Sequence, residues 1–264
     1  MDEIRTDLLT PALAARFAAT LDREPCTDVA PQGIHWCLAT PEAPTAGLGP
    51  DGHPLPDGTL PPRRMWAASD VRFLAPLPIG TAIERQSRIV DRVDKQGSSG
   101  RLLFVTAEHI TRAAGATAIE ETQTIVYREP ASGAPPPMPA PVFANPPAEG
   151  PWSRTITPSP ALLFRYSALT FNSHRIHYDL PYAHEMEGYP GLVVHGPLMA
   201  TLLLDLADRA LGSNRLIRFT FRAQQPAFAD EPITLSGERD GETLALAVRN
   251  AAGGNIMAAT ATIG

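Results

Sequence analysis

The sequence predicts an α+β fold in which antiparallel sheet wraps around helix, built twice and fused in one chain. Three observations predict it. Long strand-like runs recur in both halves. One helical segment, Gly196 to Leu211, is apolar over most of its circumference. A proline-dense stretch, residues 129–160, separates two parts of similar scale.

The first part, 1–129, opens with a helix. Leu13, Phe17 and Leu21 recur at spacing four, and Thr10-Pro11 supply an N-cap and a first-turn proline. The loop "GLGPDGHPLPDGTLPPRRMWA" follows. Then come "VRFLAP", "TAIERQSRIVDRV", "LLFVTAEHITR" and "AIEETQTIVYRE", separated by glycine and polar residues as in a meander. Residues 130–159 read as an extended linker, because proline lacks an N–H donor and fixes φ. The second part, 160–264, reads as loop, helix, then strands. Its helix "GPLMATLLLDLADRAL" has proline in the first turn and Gly212 just past the end. Only Asp205, Asp208 and Arg209 mark a wet edge. Four strands follow: "RLIRFTFRAQQ", "PITLSGER", "TLALAVRN" and "NIMAATATI". Leu244, Leu246 and Val248 alternate with small residues, the period of a sheet with one buried face.

Composition narrows the function. The 264 residues are 44% hydrophobic, enough for a substantial core. A net charge of -6 argues against nucleic acid as a partner. Cys26 and Cys37 are the only cysteines, too few for a disulfide framework or a structural zinc site. The acidic start has no signal-peptide core, and no run approaches the ~18 apolar residues of a membrane span. The expectation is a cytoplasmic protein with no membrane partner.

The segment "FNSHRIHYDLPYAHEMEGYPGLVVHGPLMATLLLD" gathers His174, His177, His184 and His195, four of the chain's 7 histidines. A metal site, a catalytic base and plain packing are all compatible with it. Against metal, no HExxH motif or cysteine pair accompanies the histidines. Packing and capping suit His174 and His195, and solvation suits His184. His177 is set apart by its context. "YSALTFNSHRIHYDLPYAHEMEGYPGLVVHGPLMA" resembles the hydratase-2 signature of MaoC-like hot-dog proteins. Asn172 stands at the acidic position five before His177, Asp179 and Ala183 fill "HxDPxxA", and His195-Gly196 fill "HG". Better-known members carry Asp where this chain has Asn172. An amide cannot accept a proton as a carboxylate can, so a water held there would lose its proton to His177 alone. "DGHPLPDGTLPPRRMWA" and "ETQTIVYRE" extend the resemblance to fused double-hot-dog hydratases, including those acting on mesaconyl-CoA and itaconyl-CoA, and to the mitochondrial-type 3-hydroxyacyl-thioester dehydratase.

The resemblance implies a double hot-dog, two long-helix-wrapped antiparallel sheets forming a pseudo-dimer, with the second part catalytic and the first enclosing substrate. It implies reversible, (R)-specific hydration of an enoyl-CoA, with a short dicarboxylic or branched acyl group. His177 and Asn172 would be catalytic, and Gly196 would bind the thioester carbonyl. Arg64, Arg63, Trp66 and Arg165 are the substrate-binding candidates, an arginine holding the far carboxylate. No metal and no cofactor beyond the CoA of the substrate are expected, and a homodimer is compatible with the pattern. The alternatives are a fatty-acid 3-hydroxyacyl-thioester dehydratase, a hot-dog thioesterase and a non-catalytic acyl-thioester binder.

Overall fold

The computed structural model describes residues 2–54, 60–61, 63–97, 100–129 and 151–264. Most of the expected linker and part of the glycine- and proline-rich loop lie outside the described residues. The elements run β1 (Glu3–Leu8), α1 (Pro11–Thr20), β2 (Arg63–Phe73), β3 (Ala82–Gly97), β4 (Gly100–Ala113), β5 (Ala116–Arg128), β6 (Ser153–Ile156), α2 (Pro160–Leu169), α3 (Gly196–Leu211), β7 (Leu216–Ala223), β8 (Ile233–Asp240), β9 (Thr243–Asn250) and β10 (Asn255–Ile263).

All ten strands join one antiparallel sheet in the order β1-β3-β4-β5-β2-β7-β10-β9-β8-β6. Read from its outer edge, the second half runs β6-β8-β9-β10-β7, the same order as β1-β3-β4-β5-β2. The halves meet where β2 pairs with β7, from Ala68 opposite Arg222 to Arg72 opposite Arg218. A bulge interrupts β2 between Trp66 and Ala68, at the end nearest the histidines. Bulges bend a strand and re-aim its groups, and they recur beside active sites.

Helix α3 is the centre of the core. Leu198 and Leu203 are fully buried, and Leu202 and Leu206 nearly so, against Phe219, Leu235, Leu244 and Val248 of the enclosing strands. Each such leucine contributes about 1.5–3 kcal/mol of burial. The wrapped-helix expectation therefore holds for the second half. It fails for the first, where among the described residues no second long helix exists. Its counterpart is a short 3-10 turn, Ile34–Cys37, which cannot fill a sheet's concave face alone. Trp36 of that turn is joined by Trp66 of β2, the two meeting edge to face with ring centroids 5.5 Å apart, and Trp36 meets Phe221 at 6.0 Å.

Four local readings change. Asp205 is not on a wet edge: it is buried and pairs with Arg23 of the first half, Arg154 of β6 and Arg209 one turn on. A buried carboxylate needs such partners, and three arginines supply them. Strand β6 forms inside the proline-dense stretch, at the sheet's edge, where proline is tolerated. Helix α2 extends from Pro160 behind an N-cap at Ser159, repeating the Thr10-Pro11 arrangement of α1. "RRMWA" belongs to β2 rather than to the loop before it.

Candidate active site

The histidines form one column of rings. Tyr166 of α2 meets His195 at 5.2 Å, and His195 stacks on His177 at 3.5 Å with an interplanar angle of 18°. His177 meets His174 edge-on at 5.5 Å, and His174 meets His53 of the first half at 4.2 Å. Why the imidazoles gather ahead of an apolar helix is thus answered by packing and chemistry together. His195 is the N-cap residue of α3, and Ser167 holds its Nε2 at 2.8 Å. Its buried ring supports the face of His177. His184 lies apart, half-buried in a π-helical turn over Tyr182–Met186.

His177 Nδ1 donates to the Val193 carbonyl at 2.7 Å. A carbonyl only accepts, so Nδ1 carries the proton and Nε2 presents a lone pair. Burial pushes the His177 pKa down to about 4; the bond to Val193 opposes this, and the His53 ring adds to it. At neutral pH the ring is an unprotonated base. Asn172 Oδ1 accepts from the backbone N–H of His174 at 3.0 Å, which leaves its amide nitrogen with two N–H donors for a water.

Gly196 opens α3, where backbone N–H groups lack intrahelical partners and the helix dipole is positive. Pro197 then lacks an N–H, so Gly196 holds the outermost donor of the helix. A Cβ at Gly196 would lie 3.4 Å from the Trp66 carbonyl. The first half thus reaches the helix start through the bulged end of β2.

The four substrate-binding candidates separate. Arg63 is buried, with Nε on Glu187 at 2.7 Å and a second nitrogen donating to the Met186 carbonyl at 3.0 Å. Arg63 is thus tied to the second half, and its remaining terminal nitrogen is buried without a partner. Arg64 is half-buried, has no ion-pair partner among the described residues, and bears electrostatically on both His53 and His174. The Trp66 side chain is partly buried against the core: its indole N–H donates to Ser69 Oγ at 2.9 Å, and Ser69 donates to Glu121 at 2.6 Å. Its carbonyl, not its ring, approaches Gly196. Arg165 is exposed on the outer face of α2.

Sequence reasoning missed Asp51 and His53. Asp51 accepts from the His53 backbone N–H at 3.0 Å and lies 3.3 Å from its Nδ1. The ligand atoms of Asp51, His53 and His174 all fall within 4.8 Å of one another, close enough to be weighed as a metal group. No local pattern in "GPDGHPLP" signals this. The pairing depends on a fold that brings residues about 120 positions apart together.

A family model described as hydroxyacyl-thioester dehydratase type 2 matches residues 33–229. Mesaconyl-C(4)-CoA hydratase of Chloroflexus aurantiacus is 43% identical, over 100% of this chain and 95% of its own. The mitochondrial hydroxyacyl-thioester dehydratase type 2 of Schizosaccharomyces pombe is 29% identical, over 77% of this chain and 76% of its own. A Mycobacterium tuberculosis protein solved with a double hotdog fold superposes with a TM-score of 0.61 at 13% identity, covering 99% of this chain and 96% of its own. The fold is therefore a double hot-dog.

Proposed function

The chain belongs to the hydroxyacyl-thioester dehydratase type 2 family, and on that premise we propose that it hydrates a short dicarboxylyl enoyl-CoA of the mesaconyl-C4-CoA kind. It is a hydro-lyase. The observation that carries the reading is His177: a buried, neutral imidazole with Nδ1 fixed by Val193, in the segment that runs directly into the N-terminus of α3 at Gly196.

The step follows from those groups. Asn172 donates to the water and His177 Nε2 takes its proton. The oxygen attacks C3 as the C2=C3 electron pair moves toward the thioester carbonyl. The Gly196 N–H donates to the developing oxyanion, a fixed donor aimed where charge appears. The imidazolium then returns its proton to C2 on the same face, giving syn addition. Water is consumed across one double bond, so base, donor and helix end supply the chemistry without a cofactor.

Packing supports the short acyl group. Trp36, Trp66 and Phe221 fill the space between the halves beside the Trp66–Gly196 contact. A long acyl tail needs that depth, so the fatty-acid dehydratase reading is second. The matching strand orders support treating the halves as a pseudo-dimer, and His177 is the reason to assign the base to the second half. A soluble cytoplasmic setting suits the substrate, and among the described residues no helix is long and apolar enough to cross a membrane.

One assay tests the activity. Protein is mixed with mesaconyl-C4-CoA, itaconyl-CoA and crotonyl-CoA while enoyl absorbance and free thiol are followed together. Loss of absorbance without thiol is the expected result. Thiol release would make the protein a thioesterase, and no change with any substrate would leave it a binder.

A further inference from the structure

We propose that Arg64, His53 and His174 form a subsite for a carboxylate carried on C3 of the substrate, the carbon that receives water. The inference rests on the hydratase reading and adds the residues that select a dicarboxylyl group.

The chemistry sets the location. In the mesaconyl-C4 thioester the free carboxylate is bonded directly to C3. Its oxygens lie about 2.4 Å from that carbon, and donors sit about 2.7–2.9 Å further out. Whatever holds the carboxylate must therefore adjoin the catalytic imidazole. His174 is that neighbour, with its ring 5.5 Å from His177, and His53 is the next, 4.2 Å from His174. Arg64 acts electrostatically on both rings. A half-buried guanidinium with no ion-pair partner among the described residues, acting on two neutral imidazoles, gives the group a positive charge for an anion.

The subsite is built, not incidental. The turn at residues 50–53 is clamped onto residues 173–175. Arg175 donates from its backbone to the Asp51 carbonyl at 2.9 Å and from its side chain to the Pro50 carbonyl at 2.9 Å, and Ser173 Oγ donates to the Gly52 carbonyl. Only glycine fits at position 52, where φ is +86° and a Cβ would lie 2.0 Å from the Ser173 carbonyl oxygen. His53 is thereby delivered against His174 across the boundary between the halves. Asp51 holds the ring through Nδ1. Binding of the anion draws a proton from solvent onto His53, which then donates from Nε2, while Arg64 supplies the standing charge and His174 a neutral N–H.

Asp51, His53 and His174 would also suit a cation by ligand type. The Arg64 charge acting on both histidines opposes such an ion and the Asp51 carboxylate favours it, so metal content separates the two.

The test is a selectivity ratio. kcat/KM is measured for mesaconyl-C4-CoA and crotonyl-CoA, which lacks the carboxylate, with wild type, Arg64→Met, Arg64→Lys and His53→Leu. Wild type is expected to favour mesaconyl-C4-CoA. Arg64→Met and His53→Leu should collapse the ratio by about 10²-fold or more, because a site built around a polar group strongly rejects its absence. Arg64→Lys should recover part of it. Circular dichroism establishes that each variant folds. Hydration of both substrates with an unchanged ratio in Arg64→Met and His53→Leu would sink the subsite and leave the hydratase standing. So would a wild-type preference for crotonyl-CoA. No hydration of either takes down both readings. Metal analysis of the purified wild type closes the remaining route: an equivalent of zinc lost in His53→Leu would replace the carboxylate site with a metal site.

Discussion

Replacing His177 with alanine is expected to lower kcat for hydration by about 10²–10⁴, the usual cost of losing a general base. The structure gives no substitute. His174 and His195 flank His177, but His195 is buried and bound to Ser167 through Nε2, and His174 meets His177 edge-on. Asn172 has an amide where better-known relatives of the signature carry a carboxylate, and the motif's other carboxylate, Asp179, is held by Arg175 and the Tyr182 N–H. His177→Gln sharpens the test, because its amide can still donate to Val193 while offering no basic nitrogen. Single-turnover hydration, with circular dichroism as a check on folding, measures both variants. Near-normal turnover in His177→Gln would show that another group takes the proton. Asn172→Asp is expected to remain active, since it restores a carboxylate at that position.

The second large effect is loss of the native state on acidification. Burial is the leading cause of a lowered pKa for six histidines: His35 and His109 each to about 3, His177 to about 4, and His53, His174 and His195 in the same direction. In the unfolded chain each titrates near 6.5. Above that pH both states are neutral, and these rings leave stability unchanged. Below it the unfolded chain takes up protons that the folded chain resists, so stability falls as pH falls from about 6.5 toward 4. Each ring contributes up to about 1.4 kcal/mol per pH unit. The carboxyls of Glu121, Glu187 and Glu231 are shifted upward by burial and act in the opposite sense. Three carboxyls do not offset six imidazoles in a fold stabilised by about 5–15 kcal/mol. Tm recorded from pH 7.5 to pH 4.5 should drop steeply below pH 6. A flat profile would mean that the histidines are solvated. Unfolding, not protonation of His177, is then expected to set the acid limit of activity.

What the sequence made legible follows from how local each signal is. Strands β3 to β5 and β7 to β10 show their alternation within single segments. Helix α3 is marked by Pro197 and Gly212, and the catalytic motif lies within about forty residues. Strand β1 was invisible because "EIRTDL" is short, charged and exposed at the sheet edge. Helix α2 was missed because Phe164, exposed beside Arg165, blurs its apolar face, although Ser159-Pro160 carries the same start signal as Thr10-Pro11. That no second long helix stands among the described residues leaves no positive trace in a sequence. His53 and the Arg63–Glu187 pair were beyond reach for another reason: each joins segments more than a hundred residues apart, and nothing in either segment announces its partner.

The central pairing of β2 with β7 has a consequence for how activity depends on concentration. The groups around His177 come from both halves, yet every one belongs to the same chain. If the halves were separate subunits, dilution would pull them apart and the turn at residues 50–53 would leave His174. Covalent fusion replaces that bimolecular encounter with an intramolecular one, whose effective concentration is fixed by the chain at about the millimolar level or above. Turnover per molecule should therefore stay constant as the enzyme is diluted from micromolar to sub-nanomolar, and a site assembled from one polypeptide survives at abundances where an assembled pair would fall dark.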